Sequence, residues 1–133
     1  MRTLFFYFLC FISISCYSQN TYTPEKGSQE RKEILDVLRA DYDQQTLFKV
    51  QHLKINKNWA AVYAIPLENN KEVNDGIWGL FHKNDGGWKE VYWEEGIDFQ
   101  DDFEIIDLPV QNGRIAKLIV KKYPTCSMSI FSK

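Results

Sequence analysis

The sequence predicts an α+β domain: one N-terminal helix packed on a curved antiparallel sheet of four or five strands, closed by a short C-terminal helix or strand. Three observations carry this. Residues 29–42 repeat apolar side chains at three- and four-residue spacing. Residues 58–66 read Asn-Trp-Ala-Ala-Val-Tyr-Ala-Ile-Pro, a strand-length run that is apolar on both faces. Finally, Asp85-Gly86 sits between two apolar strands, a strong short-range hairpin signal.

In the helix, Ile34, Leu35, Val37, Leu38 and Tyr42 form the apolar stripe. Glu30, Arg31, Lys32, Glu33, Asp36 and Arg39 fill the solvated side. Lys32 with Asp36, and Arg39 with Asp43, stand four apart, and such pairs add only about 0.2–0.5 kcal/mol each. Ahead of the helix, residues 19–28 are polar and read as a flexible lead-in, with Thr23-Pro24-Glu25 a possible earlier helix start.

Residues 46–55 form a strand that changes phase. Phe48 and Val50 share one parity, Leu53 and Ile55 the other, so an extra residue near Gln51-His52 brings all four to one side. Asn56-Lys57-Asn58 then turns the chain into the strand that begins at Trp59. On that strand Trp59, Ala61, Tyr63 and Ile65 face one way, and Ala60, Val62 and Ala64 the other. The alanines leave room for a bulky neighbour, and a helix fits. Pro66 cannot donate to a ladder and is expected to end the strand. Residues 67–75 read as a loop.

Residues 76–83 and 88–95 are the hairpin strands. A type I′ turn at Asp85-Gly86 pairs Asn84 with Gly87, His82 with Lys89, Leu80 with Val91 and Trp78 with Trp93 on one face. Phe81 then meets Glu90, Gly79 meets Tyr92 and Ile77 meets Glu94 on the other. The Trp78–Trp93 face is the expected core. Residues 96–107 are acidic, and Ile105, Ile106 and Leu108 suggest a short strand. Residues 114–123 place Ile115, Leu118, Ile119 and Tyr123 on one side of a helix, although Ile119-Val120 also permits a strand. Residues 127–131 are a last strand or a docked tail.

The chain of 133 residues fits one domain, residues 29–133, after a secretory signal at residues 1–18. Arg2 opens the signal, and Leu4 begins an apolar run too short to span a bilayer. The cut is expected after Ser18, leaving Gln19 first. Cys16 offers a lipoprotein reading, but Ser13-Ile14-Ser15 lacks the leucine-like residue of a lipobox, so soluble export to the periplasm or beyond is the expectation. Loss of Arg2 shifts the net charge from −2 to −3. That balance supplies no footprint for nucleic acid and no polybasic membrane patch. Cys126 is the cysteine left after cleavage, which rules out an internal disulfide in the mature chain and leaves pairing between chains open.

No residue cluster reaches a named chemistry. His52 and His82 lack partners at metal-ligand spacing. Asp98, Asp101, Asp102 and Glu104 supply hard oxygens without the spacing of a calcium loop. Glu90 and Glu94 flank Tyr92 on one strand face, as paired carboxylates of a glycosidase would, but acids on a half-exposed strand also serve solubility. A Gly-x-Ser-x-Gly elbow is missing. No cofactor or metal is expected.

The stretch 31–131 carries Phe48-Lys-Val50, Leu53-Lys-Ile55, Asn58-Trp-Ala60 and Lys121-Lys-Tyr-Pro124. It resembles small exported bacterial domains of cystatin-like or NTF2-like fold. The resemblance implies a helix before a curved sheet and brings no catalytic residue, since the cystatin Gln-x-Val-x-Gly loop is replaced by Ile55-Asn-Lys-Asn-Trp59. The functional expectation is an exported non-enzymatic binding domain, an inhibitor or accessory envelope protein. Its partner is a protein or small polar ligand, and a homodimer is one form it can take. Phe81, Glu90, Tyr92 and Glu94 are the candidate contact face. The alternative is a small NTF2-like enzyme using Tyr92 with Glu90 or Glu94 as acid–base groups in a cone-shaped pocket.

Overall fold

The computed structural model describes residues 20–73, 76–92 and 114–132. The expected signal segment, Trp93, Glu94, the acidic run 96–107 and the strand expected near Ile105 lie outside the described residues.

Helix α1 (Gln29–Arg39) forms where the apolar stripe predicts it, and Ile34, Leu35 and Leu38 are buried. Its start is set by Ser28, not by Thr23 and Pro24: the Ser28 hydroxyl accepts the Arg31 N–H at 3.3 Å. Asp36 pairs with both Lys32 at 2.5 Å and Arg39 at 2.7 Å. The expected Arg39–Asp43 pair is replaced, because Arg39 Nε donates to the Thr46 carbonyl at 3.0 Å and ties the helix end to the first strand.

The strands are β1 (Leu47–Asn56), β2 (Trp59–Glu68), β3 (Lys71–Glu72), β4 (Ile77–Asn84) and β5 (Gly87–Val91). They form one antiparallel sheet in the order β1-β2-β4-β5, with β3 pairing the end of β2. The expected bulge is present: the register slips between Val50 and His52, leaving Gln51 as the extra residue. Phe48, Val50, Leu53 and Ile55 consequently share one core cluster. Lys57 closes the β1–β2 turn with φ 54°.

Two turns differ from expectation. β2 continues through Pro66, whose carbonyl accepts from Val73 N at 3.4 Å. A residue's N–H and C=O point to the same side of a strand, so the missing donor falls away from β1 and costs that ladder nothing. Glu68 and Lys71 then close a hairpin in what reads as a loop. Asn69 and Asn70 both have positive φ, 50° and 61°, the signature of a type I′ turn. At Asp85-Gly86 the register is as expected, but the left-handed residue is Gly87 (φ 95°), so this turn is not type I′. Asn84 Oδ1 instead accepts the Gly86 N–H at 2.9 Å.

Helix α2 (Arg114–Lys122) and a 3-10 helix (Met128–Phe131) complete the chain; the second settles the docked-tail alternative. Each sheet face carries its own core. Ala60, Val62, Ala64, Phe81 and Trp88 pack with α1. Trp59, Ala61 and Leu80 pack with Ala116 and Ile119 of α2 and with Cys126, Ile130 and Phe131. α1 shares a core with Ala60, Val62 and Ala64 while lying nearest β5, and β2 is covered on both sides as its sequence requires. Among the described residues no helix is long and apolar enough to cross a membrane.

Candidate functional site

The expected contact face is closed at Phe81. α1 covers the Phe81 side of the sheet, and α2 with the 3-10 helix covers the Trp78–Val91 side. Phe81 is fully buried at 0% exposure, beneath Ile34, Leu35 and Leu38. Its ring also closes over Gly79, where an added Cβ would stand 2.7 Å from Phe81 Cε2. Glu90 is half-buried and Tyr92 is 64% exposed, while Glu94 lies outside the described residues. Phe81 is therefore core and cannot serve as a contact residue. The reason is the β2–β4 register: Ala60 pairs with Phe81, so the face that the alanines open to α1 is also the Phe81 face.

The histidines and Cys126 are held structurally. His52 donates from Nε2 to the Ile130 carbonyl at 2.7 Å. Burial pulls its pKa below the usual imidazole value, the carbonyl bond opposes this, and Lys54 adds to the lowering. His82 stacks beside Trp59, ring centres 4.4 Å apart, and Trp59 donates to the Thr125 hydroxyl at 3.0 Å. The Cys126 thiol is buried and its pKa is pushed up to about 12 by that burial, the reverse of an activated nucleophile. Among the described residues no three His, Cys, Asp or Glu side chains stand together as metal ligands.

A second surface is built by the sequence and was not anticipated in it. β1 is an outer strand of the sheet. At one end it is paired by the lead-in: Tyr22 N donates to the Ile55 carbonyl at 2.9 Å, and Ile55 N to the Tyr22 carbonyl at 2.8 Å. The Tyr22 hydroxyl also donates to Glu30 at 2.7 Å, so residues expected to be a flexible lead-in are pinned to the sheet and to α1. Burial, then the Glu30 carboxylate, push the Tyr22 pKa up to about 12. Pairing stops at Pro24, which has no N–H to offer and is buried. Gly27, at φ 83°, then turns the chain into α1.

Past Pro24 the edge of β1 opens. Since the polar groups of Ile55 face outward to Tyr22, alternation points those of Leu53 outward as well. Beyond the bulge the outward positions are Val50 and Phe48, because Lys49 and Leu47 take the β2 side opposite Ile65 and Leu67. Among the described residues these outward groups have no main-chain partner. A groove of about 790 Å³ follows this edge, lined by residues 23–26, Arg31, residues 50–54 and Tyr63. The signal for it in the sequence is Pro24 itself, which among the described residues breaks off the segment that pairs with β1. No protein-family model, curated protein or solved structure matches this chain.

Proposed function

We propose that the chain is an exported, non-enzymatic binding domain, and that it binds by adding an extended polypeptide segment to the outer edge of β1. One observation carries the reading. The outward N–H and C=O groups of Val50 and Leu53 border the groove, those of Phe48 lie farther along the same edge, and among the described residues none has a main-chain partner, on a strand whose next outward position already accepts such a segment from Tyr22. Strand addition draws affinity from main-chain hydrogen bonds and specificity from pockets beside the edge. The non-catalytic part is supported by Cys126, whose thiol is strongly raised, and by His52, tied to a carbonyl.

The test is a titration of ¹⁵N-labelled protein with extended peptides. Binders should shift the amide signals of Phe48, Val50 and Leu53 and slow their hydrogen exchange. Shifts confined to α2 or the β4–β5 turn would remove this edge as the site. Export is tested separately by mass spectrometry of the mature protein. A start at Gln19 is expected, whereas a lipid-modified Cys16 would place the protein on a membrane.

A further inference from the structure

Resting on that reading of the β1 edge, we infer that the segment bound there is acidic, with carboxylates at two adjacent positions. Among the described residues the groove is lined by Lys26, Arg31 and Lys54 against one carboxylate, Glu25. His52, also in the lining, is held toward its neutral form by burial. Among the described residues neither Lys26 nor Lys54 has a carboxylate within ion-pair distance. Arg31 uses Nη1 on the Pro24 carbonyl at 3.3 Å and has no carboxylate partner there either. Nothing described in the chain neutralises these cations, which a carboxylate-bearing guest would do.

Their placement gives the pattern. Leu53 points to the α1 face of the sheet, so Lys54, its neighbour, points to the opposite face. Lys26 and Arg31 belong to the entry to α1 and to its first turns. The cations therefore flank the edge from both faces. Neighbouring residues of an added strand also point to opposite faces. An acidic pair at i and i+1 meets both sets of cations, whereas acids at i and i+2 meet one. A second copy of this chain is a poor occupant, because pairing two β1 edges brings Lys54 and its companions toward their own symmetry mates.

The experiment uses three octapeptides of alternating threonine and valine whose two central residues are both glutamate, both glutamine or both lysine. Affinity is read by titration, and the site by the amide signals of Phe48, Val50 and Leu53. The glutamate peptide should bind about 3- to 10-fold tighter than the glutamine peptide, the range that two partly exposed ion pairs supply, with the lysine peptide weakest. The preference should shrink in strong salt. A Lys26→Glu/Lys54→Glu protein should reverse the order, and Lys26→Gln/Lys54→Gln, the milder change, should abolish it. Equal binding of the glutamate and glutamine peptides at the Phe48, Val50 and Leu53 amides overturns the acidic partner and leaves the edge reading standing. If none of the peptides moves those amides, both fall. A dimer that protects the same amides and excludes every peptide overturns both in favour of self-pairing.

Discussion

Trp88 shows most directly how a single side chain is held at a cost. It is 5% exposed in the α1 core, and its Nε1–H has no acceptor among the described residues. The ring still earns its place through packing and through Lys83, whose ammonium lies 5.6 Å from the ring centre. A buried donor without a partner costs about 1–3 kcal/mol. Trp88→Phe removes that donor along with some volume, so urea unfolding should show a change within about 1 kcal/mol. Trp59 is the contrast, since its Nε1–H is satisfied by Thr125. Trp59→Ala should cost about 3–5 kcal/mol, and a near-neutral result would contradict its burial. His52 makes a pH prediction. Unfolded, it protonates near 6.5; folded, it does so only at lower pH. Its contribution is intact above pH 6.5 and is lost as pH falls from there through the lowered folded value. Melting temperature should drop between about pH 8 and about pH 5, and His52→Asn should reduce the drop. Buried Cys126 should resist thiol reagents until the protein is unfolded by denaturant, and that burial also argues against a disulfide between chains.

At the level of elements, what the sequence made legible followed from periodicity, and what it hid depended on φ. The bulge at Gln51 was readable because the apolar parity switches between Val50 and Leu53, and a side-chain period of two allows no other repair. Deleting Gln51 should throw Phe48 and Val50 to the wrong face, costing at least about 2 kcal/mol in a thermal or urea melt. An unchanged melt would mean that β1 had slipped register at no cost. The turns were less legible. Asn-Asn at residues 69–70 adopts type I′ geometry with the same ease expected of Asp-Gly, while at Asp85-Gly86 the chain places its left-handed residue one step later, at Gly87. Either choice preserves the strand register, so the pairing of β4 with β5 could be read without the turn type. Ser28 caps the helix instead of Thr23 because pairing of Tyr22 with Ile55 holds the chain on β1 just before Thr23, and the turn into the helix comes only at Gly27. Ser28→Ala should cost about 1 kcal/mol.

For the molecule as a whole, β2 is the strand on which both cores meet. Its sequence announced this, since alternate residues are apolar on each side, but it did not say which helix takes which face. That assignment depends on the β2–β4 register, which no local pattern encodes, and it is this register that puts Phe81 on the face α1 closes. The edge of β1 was hidden for a related reason: an unpaired strand edge is a property of sheet order, not of residue type. The two cores share Ala60 through Ala64 as adjacent residues of one backbone, so neither face can lose its packing without disturbing the strand that supports the other. Cooperative unfolding follows. Leu35→Ala in the α1 core and Ile130→Ala in the opposite core should each cost about 2–5 kcal/mol. Both should lower one common transition. Trp59 reports on one core and Trp88 on the other, so Trp88→Phe and Trp59→Phe proteins give a fluorescence signal weighted toward each face in turn. The two urea curves should coincide in shape with the far-ultraviolet dichroism of the same proteins once their midpoints are aligned. A biphasic curve, or a fluorescence change on one face that precedes loss of secondary structure, would mean that the cores melt separately and that β2 does not couple them.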